Sequence, residues 1–122
     1  MTRATPALKA ARSCYGHLAG EAGVALRERL EVAGLLCRLG DAYRLTDAGR
    51  CWVEALGLDA DDRDAAKHAR CCLDWTEKLP HVGGRLGRSM LERLIQCGAV
   101  VAGANRVLLV VDHGEMWRAL AI

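Results

Sequence analysis

Two cysteines and two histidines recur in matched surroundings in this 122-residue chain: Cys14 with His17, and Cys72 with His81. Two thiolates and two imidazoles form a donor set suited to tetrahedral zinc or another soft divalent ion. The same residue types also serve other ends. A free cysteine packs as a small hydrophobe, a histidine bridges backbone groups, and both can line a small-molecule pocket. Cys14 and His17 are three apart, so a helical segment there would point both to one side. The CxxC spacing of many structural zinc sites is absent. Asp74-Trp75-Thr76-Glu77 lies just before His81. Trp75 offers a flat apolar wall with an N–H donor, and Asp74 an anionic anchor for a cationic or hydrogen-bonding effector. The candidate effector site is therefore Cys14, His17, Cys72, Asp74, Trp75 and His81, with Cys14, His17, Cys72 and His81 as the metal-binding alternative.

A cysteine–histidine pair is also a nucleophile pair in principle. No third orienting group or oxyanion loop accompanies it, and Gly83-Gly84-Arg85-Leu86-Gly87 does not have phosphate-loop spacing. No catalytic residue is assigned, and the expectation is a protein that is not an enzyme. The six cysteines include an adjacent pair, Cys71-Cys72, and no signal segment precedes them. They read as reduced thiols of a cytoplasmic protein rather than a disulfide framework. No apolar run reaches membrane-spanning length.

The elements that position these residues follow from glycines, caps and apolar spacing. Over Leu30–Leu56 the pattern predicts a helix ending at Gly34, a hairpin turning at Gly40-Asp41, and a new helix capped by Thr46 and carrying Trp52, Val53 and Leu56. Helix, hairpin and helix make the closing half of a winged helix. The unit then recurs. Ala69-Arg70-Cys71-Cys72 matches Ala11-Arg12-Ser13-Cys14 at an offset of 58, and His81-Val82-Gly83-Gly84 matches His17-Leu18-Ala19-Gly20 at 64. The second copy thus carries six extra residues within 73–80. Gly87, Leu94 and Gly98 keep the offset of 64, and Asp112, Gly114 and Trp117 match Asp47, Gly49 and Trp52 at 65. Internal duplication is the simplest account.

The expected fold is α+β, mainly α, with two tandem winged-helix-like repeats packed with pseudo-two-fold symmetry. A flexible arm covers 1–9, the first repeat 10–58, an acidic linker 59–64 and the second repeat 65–122. Gly20 and Gly23 suggest that the first helix is confined to Val24–Ala33. Val107–Val111, five apolar residues in a row, reads as a strand buried on both faces, tucking the second wing inside. With 52% hydrophobic residues, five aromatics and no Phe, the core must rest on Leu, Val and Ala. Trp52 and Trp117 then serve as core or dimer anchors.

Winged helices commonly read DNA, and Arg27, Arg29, Arg85 and Arg88 are the candidate phosphate contacts. Glu28 and Glu31 would repel phosphate, the helices offer little room for a reading face, and the net charge is only +2. A scaffold reused for dimerisation or sensing is the favoured alternative.

Three segments, Ala11–Gly20, Tyr43–Arg50 and Cys72–Glu77 followed by His81, resemble the C-terminal region of a subgroup of bacterial ArsR-type transcriptional regulators. The resemblance covers about residues 10–118. It implies a cytoplasmic homodimeric regulator that changes its DNA affinity on meeting an effector. In that family a DNA-binding winged helix precedes this region. It has no counterpart here, so the expectation is a fragment or a free-standing sensor, with DNA a partner only through a separate attached head. The cysteine-pair motif of the metal-sensing members is also absent, so the resemblance implies no metal. A zinc-stabilised structural domain is the remaining alternative.

Overall fold

The computed structural model describes residues 4–122. Mixed α and β structure alternates along the chain. The first half runs α1 (Pro6–Ala10), β1 (Arg12–Cys14), β2 (His17–Ala19), α2 (Gly20–Val32), β3 (Leu36–Leu39), β4 (Ala42–Leu45) and α3 (Asp47–Leu56). The second runs α4 (Ala65–His68), β5 (Cys71–Leu73), β6 (Pro80–Val82), α5 (Gly84–Gln96), β7 (Val100–Ala102), β8 (Leu108–Val110) and α6 (His113–Ala119). Among the described residues there are six helices and four two-stranded antiparallel hairpins. None of the helices among the described residues is long and apolar enough to cross a membrane.

The segment Leu30–Leu56 forms the elements its punctuation predicts. α2 ends at Val32, and Gly34 takes a φ of 73°, where a side chain would be strained. Thr46 caps α3 by accepting from Gly49 N at 3.0 Å, while its hydroxyl donates to the Gly34 carbonyl. One residue thus ties the end of one helix to the start of the next.

Three expectations are corrected. The arm over 1–9 is helical from Pro6, because Thr5 accepts from Leu8 N and Pro6 suits a first helical turn; residues 1–3 lie outside the described residues. The first long helix is not confined to Val24–Ala33 but starts at Gly20 and passes through Gly23, where the helix runs hard against the Leu18 carbonyl. β8 is not buried on both faces: Leu108 points into the core while Leu109 is 53% exposed and Val111 lies open. A two-stranded hairpin packs only one face, so alternation wins over the apolar run.

The acidic linker is anchored rather than free. Asp59 forms an ion pair with Arg85, Asp62 accepts from Arg50, and the Asp59 carbonyl lies 2.6 Å from His68 Nε2. Asp64 caps the following helix.

The two halves exchange their first hairpins. Ser13 N donates to Arg106 O at 2.9 Å and Leu108 N to Ala11 O at 3.1 Å, so β1 lies along the β7–β8 wing. Reciprocally, Cys71 N donates to Asp41 O at 2.9 Å and Tyr43 N to Ala69 O at 2.7 Å, so β5 lies along the β3–β4 wing. α2 packs over β6 and α5 over β2. One hydrophobic core results, with Leu30, Tyr43, Val53, Leu86, Leu94 and Met116 buried in it. Trp52 is a core anchor: it is buried and donates from Nε1 to Leu120 O at 2.6 Å. Trp117 is only partly buried and stacks with the Arg29 guanidinium.

Candidate functional site

Cys14 and His17 sit on a hairpin, not a helix. Tyr15 and Gly16 have φ of 51° and 86°, the two left-handed residues of a tight primed turn. That turn makes Cys14 and His17 cross-strand partners. Cys72 and His81 are cross-strand partners in the matching hairpin, with the six-residue insertion forming its loop. Side chains paired across a strand project to the same face. The exchange of hairpins brings these two faces together at the seam between the halves. One donor atom from each of Cys14, His17, Cys72 and His81 lies within 4.8 Å of the others.

The two imidazoles meet at Nε2, 3.0 Å apart, with ring centroids 4.9 Å apart. His81 is fixed from behind, its Nδ1 3.0 Å from Asp74 Oδ1. Asp74 is 0% exposed and accepts on both oxygens. Oδ1 also takes Gly20 N at 2.7 Å and Arg12 Nη2 at 3.0 Å. Oδ2 takes Thr76 N, Thr76 Oγ1 and Glu77 N between 2.8 and 3.1 Å. Burial would raise its pKa, but the hydrogen bonds from Gly20, Thr76 and Glu77 and the Arg12 charge outweigh it and hold the carboxyl well below the usual range. Asp74 therefore organises an Asx-type loop and orients His81, with its acceptor positions already engaged. Trp75 is 44% exposed and carries the Arg12 guanidinium 4.6 Å from its ring centroid.

Arg12 was not among the sequence candidates. A lone arginine reads as surface, yet this one is 0% exposed, donating also to Leu8 O and Thr76 Oγ1. Its signal was its place in the repeated Ala-Arg-x-Cys string. Glycines clear the space for His17: a Cβ on Gly87 would lie 2.9 Å from its Cβ, and one on Gly83 would lie 3.0 Å from its Cε1.

Burial, followed by His81 and Arg88, lowers the His17 pKa to about 4. Burial also lowers that of His81, against the pull of Asp74. Burial and the neighbouring Cys14 raise the Cys72 thiol to about 11. Both shifts favour the neutral form of the rings. Unfolded imidazoles take up protons near pH 6.5, whereas folded His17 resists until about 4, so the unfolded chain binds more protons in that window. Folding stability is expected to fall steadily as pH drops from about 6.5 to about 4. Melting temperatures recorded with chelator across that range check this, and a flat profile would contradict a buried neutral pair.

A cleft of about 720 Å³ leads from solvent to His17 and Cys72, flanked by Tyr15, Arg70, Arg85 and Arg88. Each of the four arginines proposed for phosphate is engaged within the chain. Arg27 is largely buried, held by Pro80 O and Glu31. Arg29 binds Ile122 O, Arg85 the Asp61 carbonyl and Asp59, and Arg88 the Tyr15 carbonyl.

No family model matches the chain, and no solved structure matches it. Over 88 residues, 70% of its length, the chain is 35% identical to a Bacillus subtilis (strain 168) protein named as the uncharacterized HTH-type transcriptional regulator YdfF. The chain spans 39% of the length of that relative. The similarity supports a transcription-regulator family.

Proposed function

We propose that this chain is the effector-sensing and dimerisation module of a cytoplasmic bacterial transcriptional regulator of ArsR type. Its two halves are read as winged-helix-like repeats about a pseudo-two-fold axis. The recurring element order and the reciprocal wing pairings support that reading. The observation that carries the sensing role is the position of the Cys14–His17–Cys72–His81 cluster. Each half supplies one cysteine and one histidine, so whatever binds there bears directly on how the halves sit. A ligand that prefers one arrangement shifts the population towards it, and an attached reading head would feel the change.

Direct DNA reading by this chain is the second possibility. The engagement of Arg27, Arg29, Arg85 and Arg88 with internal carbonyls and carboxylates weighs against it, since phosphate binding needs clustered free cations. The purified chain is expected to leave random duplex DNA unshifted in a gel at physiological salt, and to scatter light at twice its 13.2 kDa mass. Retardation that fades as salt rises would overturn the sensing module in favour of a DNA-binding protein. A monomeric mass would remove the dimerisation role.

A further inference from the structure

We infer that Cys14 Sγ, His17 Nε2, Cys72 Sγ and His81 Nε2 form a tetrahedral site for one zinc-class divalent ion, clamping the two exchanged hairpins together. This names the ligand class of the site in the regulatory reading and rests on that same site.

The geometry is close to what such an ion needs. Two nitrogens each about 2.0 Å from a tetrahedral ion lie about 3.3 Å apart, and two sulfurs at about 2.3 Å lie about 3.8 Å apart. The imidazole nitrogens stand at 3.0 Å, and the widest separation in the set is within 4.8 Å. Side-chain rotations that draw the set from within 4.8 Å towards these separations complete the tetrahedron.

The orientation of the rings is a second, independent observation. His81 presents Nε2 because its Nδ1–H donates to Asp74 Oδ1. A carboxylate behind a ligating imidazole fixes its tautomer and strengthens it as a donor. Asp74 is itself held by backbone and side-chain donors from three segments, a degree of support that a merely packed histidine does not require. The two Nε2 atoms face each other across 3.0 Å and share one proton; a cation between them would displace that proton and take both lone pairs.

The thiols supply the softness. Oxygen-preferring ions such as magnesium and calcium have no carboxylate or carbonyl in this set, so the site selects zinc, cobalt or a similar ion. Binding displaces the thiol protons, so affinity falls on acidification. The cleft that reaches His17 and Cys72 gives the ion a route from solvent.

The test is titration of the reduced, chelator-stripped protein with cobalt(II). One equivalent should produce the d–d bands of tetrahedral cobalt together with thiolate charge transfer, and zinc should abolish both. Cys14→Ser, Cys72→Ser and His81→Gln should each weaken binding at least about 100-fold, the upper end of what losing an orienting group alone costs. Cys37→Ser and Cys97→Ser, at exposed positions, should leave it unchanged. Should a ligand variant fail to fold, the wild-type protein still decides. Zinc should protect Cys14 and Cys72 from alkylation while the exposed Cys37, Cys51 and Cys97 react as before. No stoichiometric cobalt spectrum, an octahedral spectrum without charge transfer, or equal alkylation of Cys14 and Cys72 with and without zinc would overturn the site. These readouts report the ion alone. A chain that binds zinc yet shifts duplex DNA by itself keeps the site and loses the regulatory reading. A dimer that ignores both DNA and metal does the reverse.

Discussion

Asp74→Ala is expected to remove roughly 3–5 kcal/mol of folding stability, the range seen when one partner of a buried ion pair is deleted. The carboxylate meets the Arg12 guanidinium at 3.0 Å with both groups essentially free of solvent. The Arg12 Nε already lacks a partner, so the variant leaves a buried guanidinium with only Leu8 O, Thr76 Oγ1 and the Trp75 face to answer it. The same substitution frees Gly20 N at the start of α2, releases Thr76 and Glu77 in the loop, and unties His81. Asp74→Asn is expected to recover little. An amide presents donors where the site already has donors, and it cannot balance the guanidinium. Urea unfolding of the metal-free protein measures the loss. Asp61→Ala is the contrast: its carboxylate bonds Arg63 at the surface, where solvent screens the pair, and the midpoint should scarcely move. A wild-type-like midpoint for Asp74→Ala would mean that Arg12 finds another partner or reaches water.

The stretch Leu30–Leu56 was legible because each of its boundaries has a local cause. Gly34 stops a helix, Gly40-Asp41 turns a hairpin and Thr46 starts the next helix, none of them needing a distant neighbour. The four cluster residues were legible for another reason: duplicated surroundings picked Cys14, His17, Cys72 and His81 from six cysteines and four histidines. Their local conformation was not. Tyr15 at the first position of a primed turn contradicts ordinary turn preferences, so the residues did not announce a hairpin, and packing under α5 and the partner hairpin holds it. Nor could matched offsets show which segments touch. Repetition says that β1–β2 and β5–β6 are alike, but their exchange between wings is a tertiary choice. Arg12 was hidden for the same reason, since its counter-charge lies 62 residues away in an insertion with no counterpart in the first half.

Gly87→Ala gives the second large effect, and its sign separates local from tertiary causes. Gly87 lies within α5, where alanine is favoured over glycine by about 1 kcal/mol. Propensity alone therefore predicts a more stable protein. The surroundings predict the opposite. A Cβ there would strike the Val82 carbonyl and stand 2.9 Å from His17 Cβ, and neither neighbour is the free end of a flexible chain. Val82 is strand backbone, while His17 is pinned between α5 and His81. Relief requires α5 to lift from β2, the contact by which one half grips the hairpin of the other. Overpacking of this kind typically costs 1–3 kcal/mol, and a net loss of about 3 kcal/mol is expected because backbone is involved. Gly23, where a Cβ would meet the Leu18 carbonyl and approach His81 Cβ to 3.4 Å, should respond in the same direction. Denaturant midpoints of the two variants, compared with the wild type, settle the sign. Stabilisation by Gly87→Ala would show that the helix and the hairpin are not in the close contact on which the placement of His17 depends.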